Sequence, residues 1–166
     1  MILVDTSAWI EFLRKSGHPV HLALKRLLQE RAPIAATEVV IMEVLAGAKT
    51  GADHARMRAL LLSLPRVRLR GLPDFEGAAD LYRTCRRKGD TVRKLIDCLI
   101  AAVAIRERAS LLHNDRDYDV LARHSKLKIE RVRAARRRHR GARLGRSSSL
   151  SFTAGLSRYR NDALAG

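Results

Sequence analysis

Apolar residues fall into two alternating kinds of cluster along the chain. Ile2-Leu3-Val4 is a short continuous run stopped by Asp5, which reads as a buried parallel strand. Runs of the same kind at Pro33–Ala36, Val67–Leu69, Leu111–His113 and Leu127–Ile129 predict four more short strands. Between them the spacing changes to that of helices. Thr6 and Ser7 can cap a helix carrying Trp9, Ile10, Phe12 and Leu13, and a second holds Leu22, Leu24, Leu27 and Leu28. Thr37 is the expected cap of a helix running to Gly47. Others are expected over Ala55–Leu64, Asp74–Lys88, Arg93–Arg108 and from Asp115 to about His124. Strands alternating with helices imply βαβ units with right-handed crossovers and an α/β fold, a parallel sheet wrapped by helices. Sites in such sheets form beyond the carboxyl ends of the strands, so the acids that follow strands come first.

Composition supports a core: 46% of the 166 residues are hydrophobic, too many for a wholly disordered basic chain. The longest apolar run, Cys98–Ile105, is far short of the roughly 20 residues that span a bilayer, so no membrane association is expected. No basic segment precedes an apolar stretch at the start, so no secretory leader is expected and the cytoplasm is the simplest compartment. Cys85 and Cys98 lack metal-ligand neighbours and read as core or half-exposed thiols.

The net charge of +16 points to a polyanionic partner, most often nucleic acid. It is unevenly placed. Residues 131–166 hold ten Arg and one acid, Asp162, a net of +9, with Gly141, Gly145 and Ser147 to Ser149 and no apolar period. They are expected to be a basic flexible tail beyond a domain over 1–130. Its charge either grips RNA or DNA or belongs to an appended, solvated segment with no selected role.

Acids at four places along the chain sit where packing alone explains them poorly. Asp5 follows the first strand, and Asp115 and Asp117 follow the strand ending near His113. Glu43 lies within Val39-Val40-Ile41-Met42-Glu43-Val44-Leu45, and Asp97 within Leu95-Ile96-Asp97-Cys98-Leu99-Ile100. Ionised carboxylates beside a core are costly unless paired or bound to metal. Each has a plainer role: Asp5 caps the Thr6 helix, Glu43 meets a basic neighbour, Asp97 pairs with Arg93, and Asp115, Asp117 and Asp119 favour a helix start. Together they suit a divalent cation, and an oxygen-only donor set suits Mg²⁺ or Mn²⁺. An EF-hand is excluded, since its Gly and Glu positions hold Val120 and Lys126. A haloacid-dehalogenase-type phosphatase also fits poorly, because Ser7 stands where a second Asp is needed.

These residues resemble a known family. Val4-Asp5-Thr6-Ser7-Ala8-Trp9-Ile10, Thr37-Glu38-Val39-Val40-Ile41-Met42-Glu43-Val44-Leu45-Ala46-Gly47, Asp97-Cys98-Leu99-Ile100-Ala101-Ala102 and Leu112-His113-Asn114-Asp115-Arg116-Asp117-Tyr118-Asp119 occur in the order of PIN-domain ribonucleases. Over 1–130 the wording is most similar to VapC-type toxins of bacterial toxin–antitoxin pairs. The resemblance implies a three-layer α/β/α sandwich and a Mg²⁺- or Mn²⁺-dependent endoribonuclease. Its catalytic and metal-binding acids would be Asp5, Glu43, Asp97 and Asp115, with Asp117 an alternative or supporting ligand. Ser7, and after it Thr6, matches the hydroxyl that orients a carboxylate or water; helix capping is the plainer role. Trp9 either contacts RNA or, more often for such a face, is buried.

Metal-activated water would attack the scissile phosphorus in line and leave 5′-phosphate and 3′-hydroxyl ends. Arg86, Arg87, Lys88, Arg93, Lys94 and Arg116 are either a solvated face or contacts that guide RNA. The resemblance further implies an RNA substrate such as tRNA, a cognate antitoxin and a homodimer. Leu24, Leu28, Leu60 and Leu61 are candidates for the dimer surface, though core packing is the commoner role. The competing reading is a non-catalytic, basic nucleic-acid-binding module, which would gain nothing from acids near phosphate.

Overall fold

A computed structural model describes residues 1–132. In chain order it contains β1 (Ile2–Val4), α1 (Thr6–Leu13), α2 (Pro19–Gln29), β2 (Ile34–Thr37), α3 (Glu38–Ala46) and α4 (Gly51–Leu62). Then come β3 (Arg66–Val67), α5 (Leu72–Arg87), α6 (Leu95–Arg106), β4 (Ser110–Leu112), α7 (Arg116–Arg123) and β5 (Lys128–Ile129). The strands form one sheet in the order β3-β2-β1-β4-β5, and every pairing is parallel. The expected α/β class is therefore observed. The basic segment falls almost wholly outside the described residues, which end at Val132.

Strand order fixes where a site can form. The chain steps outward from β1 to β2 to β3, then returns across the sheet to β4 and β5. Right-handed crossovers therefore place α1–α4 on one face and α5–α7 on the other. The helix contacts agree: α1 packs on α2 and α3, and α3 on α4, while α5, α6 and α7 pack together. The direction reverses between β1 and β4, the switch point where a crevice opens beyond the strand ends. β1 meets β4 in the register Leu3↔Leu111 and Val4↔Leu112, and the Asp5 N–H donates to the Leu112 carbonyl at 2.9 Å. The two chain segments that leave this crevice begin with Asp5 and His113.

Leu3, Val4, Ala35, Ala36, Leu111 and Leu112 are buried, as strands covered on both faces require. Trp9 and Tyr118 are the largest fully buried side chains, so Trp9 belongs to the core and does not face RNA. Cys85 and Cys98 are buried free thiols; burial pushes Cys98 up to about 12, which makes it inert. The candidate dimer residues also change role. Leu24, Leu60 and Leu61 are buried in this single chain and Leu28 packs against the same core, so none offers a free apolar face. No described helix is long and apolar enough to cross a membrane.

Several element ends shift by local chemistry. The Thr50 hydroxyl accepts from the Asp53 N–H, so α4 starts at Gly51 and not Ala55. Pro73 extends α5 back to Leu72. Arg93 lies outside α6, because its N–H donates to Asp117 and Lys94 is extended. α5 ends in a Schellman turn: Asp90 N–H bonds the Cys85 carbonyl, Gly89 N–H bonds that of Arg86, and Gly89 takes φ +82°.

Candidate active site

Asp5 ends β1 and caps α1, and its buried carboxylate accepts three hydrogen bonds. Oδ2 accepts from the Ser7 N–H at 2.8 Å and from the Ser7 hydroxyl at 2.5 Å, while Oδ1 accepts from the Tyr118 hydroxyl at 2.6 Å. The capping role and a place at the strand end thus coincide in one residue. Ser7 Oγ also accepts from the Asn114 N–H at 2.8 Å, which ties the ends of β1 and β4 together. Thr6, the less favoured hydroxyl, donates to Glu43 Oε2 at 2.6 Å. Glu43, half-buried on α3, thereby reaches the same strand end from the neighbouring helix.

Asp97 arrives on α6 from the opposite layer, and α3 and α6 touch. It is 5% exposed, and its Oδ2 has no hydrogen-bond partner. Burial, then the charge of Asp5, pushes its carboxyl up to about 7. The expected pairing with Arg93 does not form. Arg93 turns to the β4–α7 junction, where Nε donates to Asp117 Oδ1 at 3.0 Å and Nη2 to Asp115 Oδ1 at 2.8 Å. Lys94 Nζ lies 3.4 Å from Asp115 Oδ2 and is held charged chiefly by Asp97.

Asp115 and Asp117 occupy different environments. Asp117 is buried and bound by the Arg93 N–H and guanidinium. Asp115 caps α7 through the Asp117 N–H and keeps 15% of its side chain exposed. Burial opposes its ionisation, but the Asp117 N–H, Lys94 and Arg93 outweigh burial and hold the carboxyl below its usual value.

The donor set fits a hard divalent cation in chemistry: carboxylate oxygens only, with one buried oxygen on Asp97 left without a partner. As the side chains stand, no three acidic, His or Cys groups among the described residues converge to grip an ion. Asp115 and Asp117 are instead drawn to Arg93 and Lys94. Those two cations neutralise the acids from within the chain.

Tyr118 is the residue that sequence reasoning missed. Its phenol is fully buried, and burial together with the Asp5 charge holds it protonated, so it acts only as a donor to the carboxylate. No spacing along the chain signals it, because its partner Asp5 lies 113 positions away. Among the basic candidates, Arg86 lies over the Tyr82 ring and Arg87 bonds Thr84, contacts internal to α5. Lys88 is exposed after α5, and the exposed side chain of Arg116 makes no ion pair or hydrogen bond to another described residue.

A PIN-domain family model matches residues 2–124. Ribonuclease VapC11 of Mycobacterium tuberculosis is 44% identical over 134 residues, covering 80% of this chain and all of the relative. A VapC ribonuclease of Mycobacterium bovis matches to the same extent. Among solved structures, VapBC2 from Rickettsia felis bound to a promoter DNA fragment aligns with a TM-score of 0.61 at 23% identity, over 78% of this chain and 98% of that one. FitAB bound to a DNA fragment aligns with the same TM-score at 20% identity, over 84% and 100%. At such identities these structures bear on the fold, which they share.

Proposed function

The chain belongs to the PIN-domain family, among its VapC ribonucleases, and from that premise we propose that it is a metal-dependent endoribonuclease acting as the toxin of a toxin–antitoxin pair. The observation that carries the metal-dependent reading is Asp97. A buried carboxyl with an unpartnered oxygen beside a second buried carboxylate is costly in the resting protein, and a cation would relieve it. Asp5, Glu43, Asp97 and Asp115 would hold Mg²⁺ or Mn²⁺, with Asp117 fixed against Arg93 behind them.

A divalent cation in such a site acidifies water and neutralises charge on the phosphate being cut. The chain's own residues supply orientation. Ser7 and Tyr118 fix both oxygens of Asp5, and Thr6 fixes Glu43, so both carboxylates are held in place before substrate arrives. Arg93 keeps Asp117 paired and so limits the negative charge that an incoming phosphate meets. Attack by water in place of the RNA 2′-hydroxyl leaves 5′-phosphate and 3′-hydroxyl ends. A cognate antitoxin that covers the acids, and a homodimer, complete the proposal. VapBC2 and FitAB, which share the fold, are support for the antitoxin.

The test is incubation with total RNA, including tRNA, in Mg²⁺, Mn²⁺ or EDTA, followed by mapping of the cut ends. Cuts bearing 5′-phosphates in Mg²⁺ or Mn²⁺ and none in EDTA are expected. Cyclic phosphate ends, or equal cutting in EDTA, would contradict the reading; binding without cuts would favour the non-catalytic module.

Tyr118→Phe tests the positioning of Asp5. The variant keeps the ring and removes only the donor to Oδ1, a bond to a charged group worth about 1.5–3 kcal/mol. Cleavage should fall on the order of tenfold, as for an outer partner of a ligand. The Mn²⁺ concentration that half-maximally raises the melting temperature should rise with it. Wild-type values of both would show that the phenol does not position Asp5.

A further inference from the structure

Beside the acidic pocket lies a cleft of about 200 Å³ between the α5–α6 turn and α7, lined by Asp90, Thr91, Arg93, Arg116, Asp117 and Arg123 together with Val120. Its α7 contributors fall at positions 116, 117, 120 and 123, one stripe of a helix. The opposite wall is held in place by the Schellman turn at Gly89 and by Asp90. Asp90 Oδ2 bonds His124 Nε2 at 2.7 Å and lies 3.5 Å from Arg123 Nη2, which locks the turn to the end of α7.

The charge in this cleft is unbalanced. Both carboxylates already have partners: Asp117 is taken by Arg93, and Asp90 by His124 and Arg123. Three guanidinium groups face those two acids, and of the three only Arg116 forms no ion pair with another described residue. The described bonds of Arg93 engage Nε and Nη2, and the ion pair of Arg123 engages Nη2, so each keeps N–H groups for another acceptor. Guanidinium forks match the oxygens of a phosphate. No aromatic ring lines the cleft, so it lacks the stacking surface that would hold a base. Asp5, Glu43 and Asp97 are absent from it, while Asp117 and Arg93 border both cleft and acids.

We propose that this cleft is a phosphate subsite that grips a backbone phosphodiester of the RNA strand next to the one cut at the acids. Arg116 supplies the uncompensated charge, and Arg123 and Arg93 supply further donors. This rests on the ribonuclease reading for the identity of the strand. Arg123 thereby joins the RNA-contacting residues, although its sequence neighbourhood gave no reason to single it out. The grip is independent of sequence, because only the phosphate is touched.

The experiment measures binding of a labelled RNA with a 5′-hydroxyl, which offers phosphodiesters only, by fluorescence anisotropy in EDTA across a salt series. Arg116→Gln should weaken binding roughly five- to tenfold at low salt and reduce the slope of log K against log salt by about 0.7. Arg116→Gln with Arg123→Gln should weaken it further, and Arg116→Lys should restore the slope. Arg58→Gln, an exposed charge on α4 in the other helix layer, should change affinity less than twofold. Unchanged affinity in the double variant, or an equal loss in Arg58→Gln, would overturn the subsite. The two readings separate cleanly. Metal-dependent cutting with wild-type binding by the double variant would remove the cleft alone. Loss of binding by the variants in a protein that cuts no RNA would remove the ribonuclease reading alone.

Discussion

Asp97→Asn is expected to abolish RNA cleavage while making the metal-free protein more stable at pH 8. The two effects have one cause. Asp97 is 5% exposed, its Oδ2 bonds to nothing, and its carboxyl is pushed from 3.8 to about 7 by burial and then by Asp5. Because the folded value lies above the unfolded one, the fold favours the protonated acid. That contribution is fully present below about pH 4 and is lost as the pH rises through about 7. A displacement of this size corresponds to on the order of 4 kcal/mol between the two limits. Asparagine keeps the shape and cannot ionise, so the variant's advantage should be small at pH 4 and largest at pH 8.

Its cleavage rate should drop by roughly 10²–10³-fold, the scale of removing a group that acts on charge developing in the transition state. Urea unfolding in EDTA at pH 4 and pH 8, beside an RNA cleavage assay, checks both parts. A less stable variant at pH 8, or metal-stimulated cutting close to wild type, would sink the assignment. Asp5→Asn should be equally inactive for a different structural reason. Asp5 accepts from three donors on its two oxygens, and an amide nitrogen cannot accept from the donor it would face.

Arg106→Met should produce the largest loss of stability outside the site. Arg106 Nη1 pairs with Asp74 Oδ2, Nη2 donates to the Arg68 carbonyl at 2.8 Å, and Nε donates to Glu107 at 2.9 Å. The guanidinium thus fastens the C-terminal end of α6 to the segment that leads into α5. Asp74 is 4% exposed, and its other donor is the Arg70 N–H at 2.7 Å. Removing one member of a buried ion pair strands the other charge and costs about 3–5 kcal/mol. The companion change Asp74→Leu should recover much of that loss, since the stranded carboxylate is then gone. Chemical denaturation of the single and double variants measures it. A loss below about 1 kcal/mol in Arg106→Met would mean that water already satisfies Asp74.

The sequence made the frame of the site legible because its signals are local. Ile2-Leu3-Val4 stopping at Asp5, and Thr37 capping the helix that carries Glu43, follow from neighbours along the chain, and the structure keeps both. What it hid lies between distant segments. Tyr118 reaches Asp5 across 113 positions, and Thr6 reaches Glu43 across 37; no periodicity encodes either. Arg93 sits four residues before Asp97, a spacing that pairs side chains only where both are helical. α6 starts at Leu95, so Arg93 swings to Asp115 and Asp117 instead. Leu24, Leu60 and Leu61 show the complementary limit: an apolar stripe tells that a face is covered, not whether the cover is the same chain.

Metal return is the most direct test of the central claim that these acids hold a cation that cuts RNA. Purified protein is stripped with EDTA, dialysed into metal-free buffer and mixed with one labelled RNA, and Mn²⁺ or Mg²⁺ is then added in steps. Silence before addition, followed by cleavage that rises and saturates with the metal in the wild type but not in Asp97→Asn, is the predicted result. Cleavage that proceeds at full rate in the stripped protein, or that returns equally in Asp97→Asn, would contradict it.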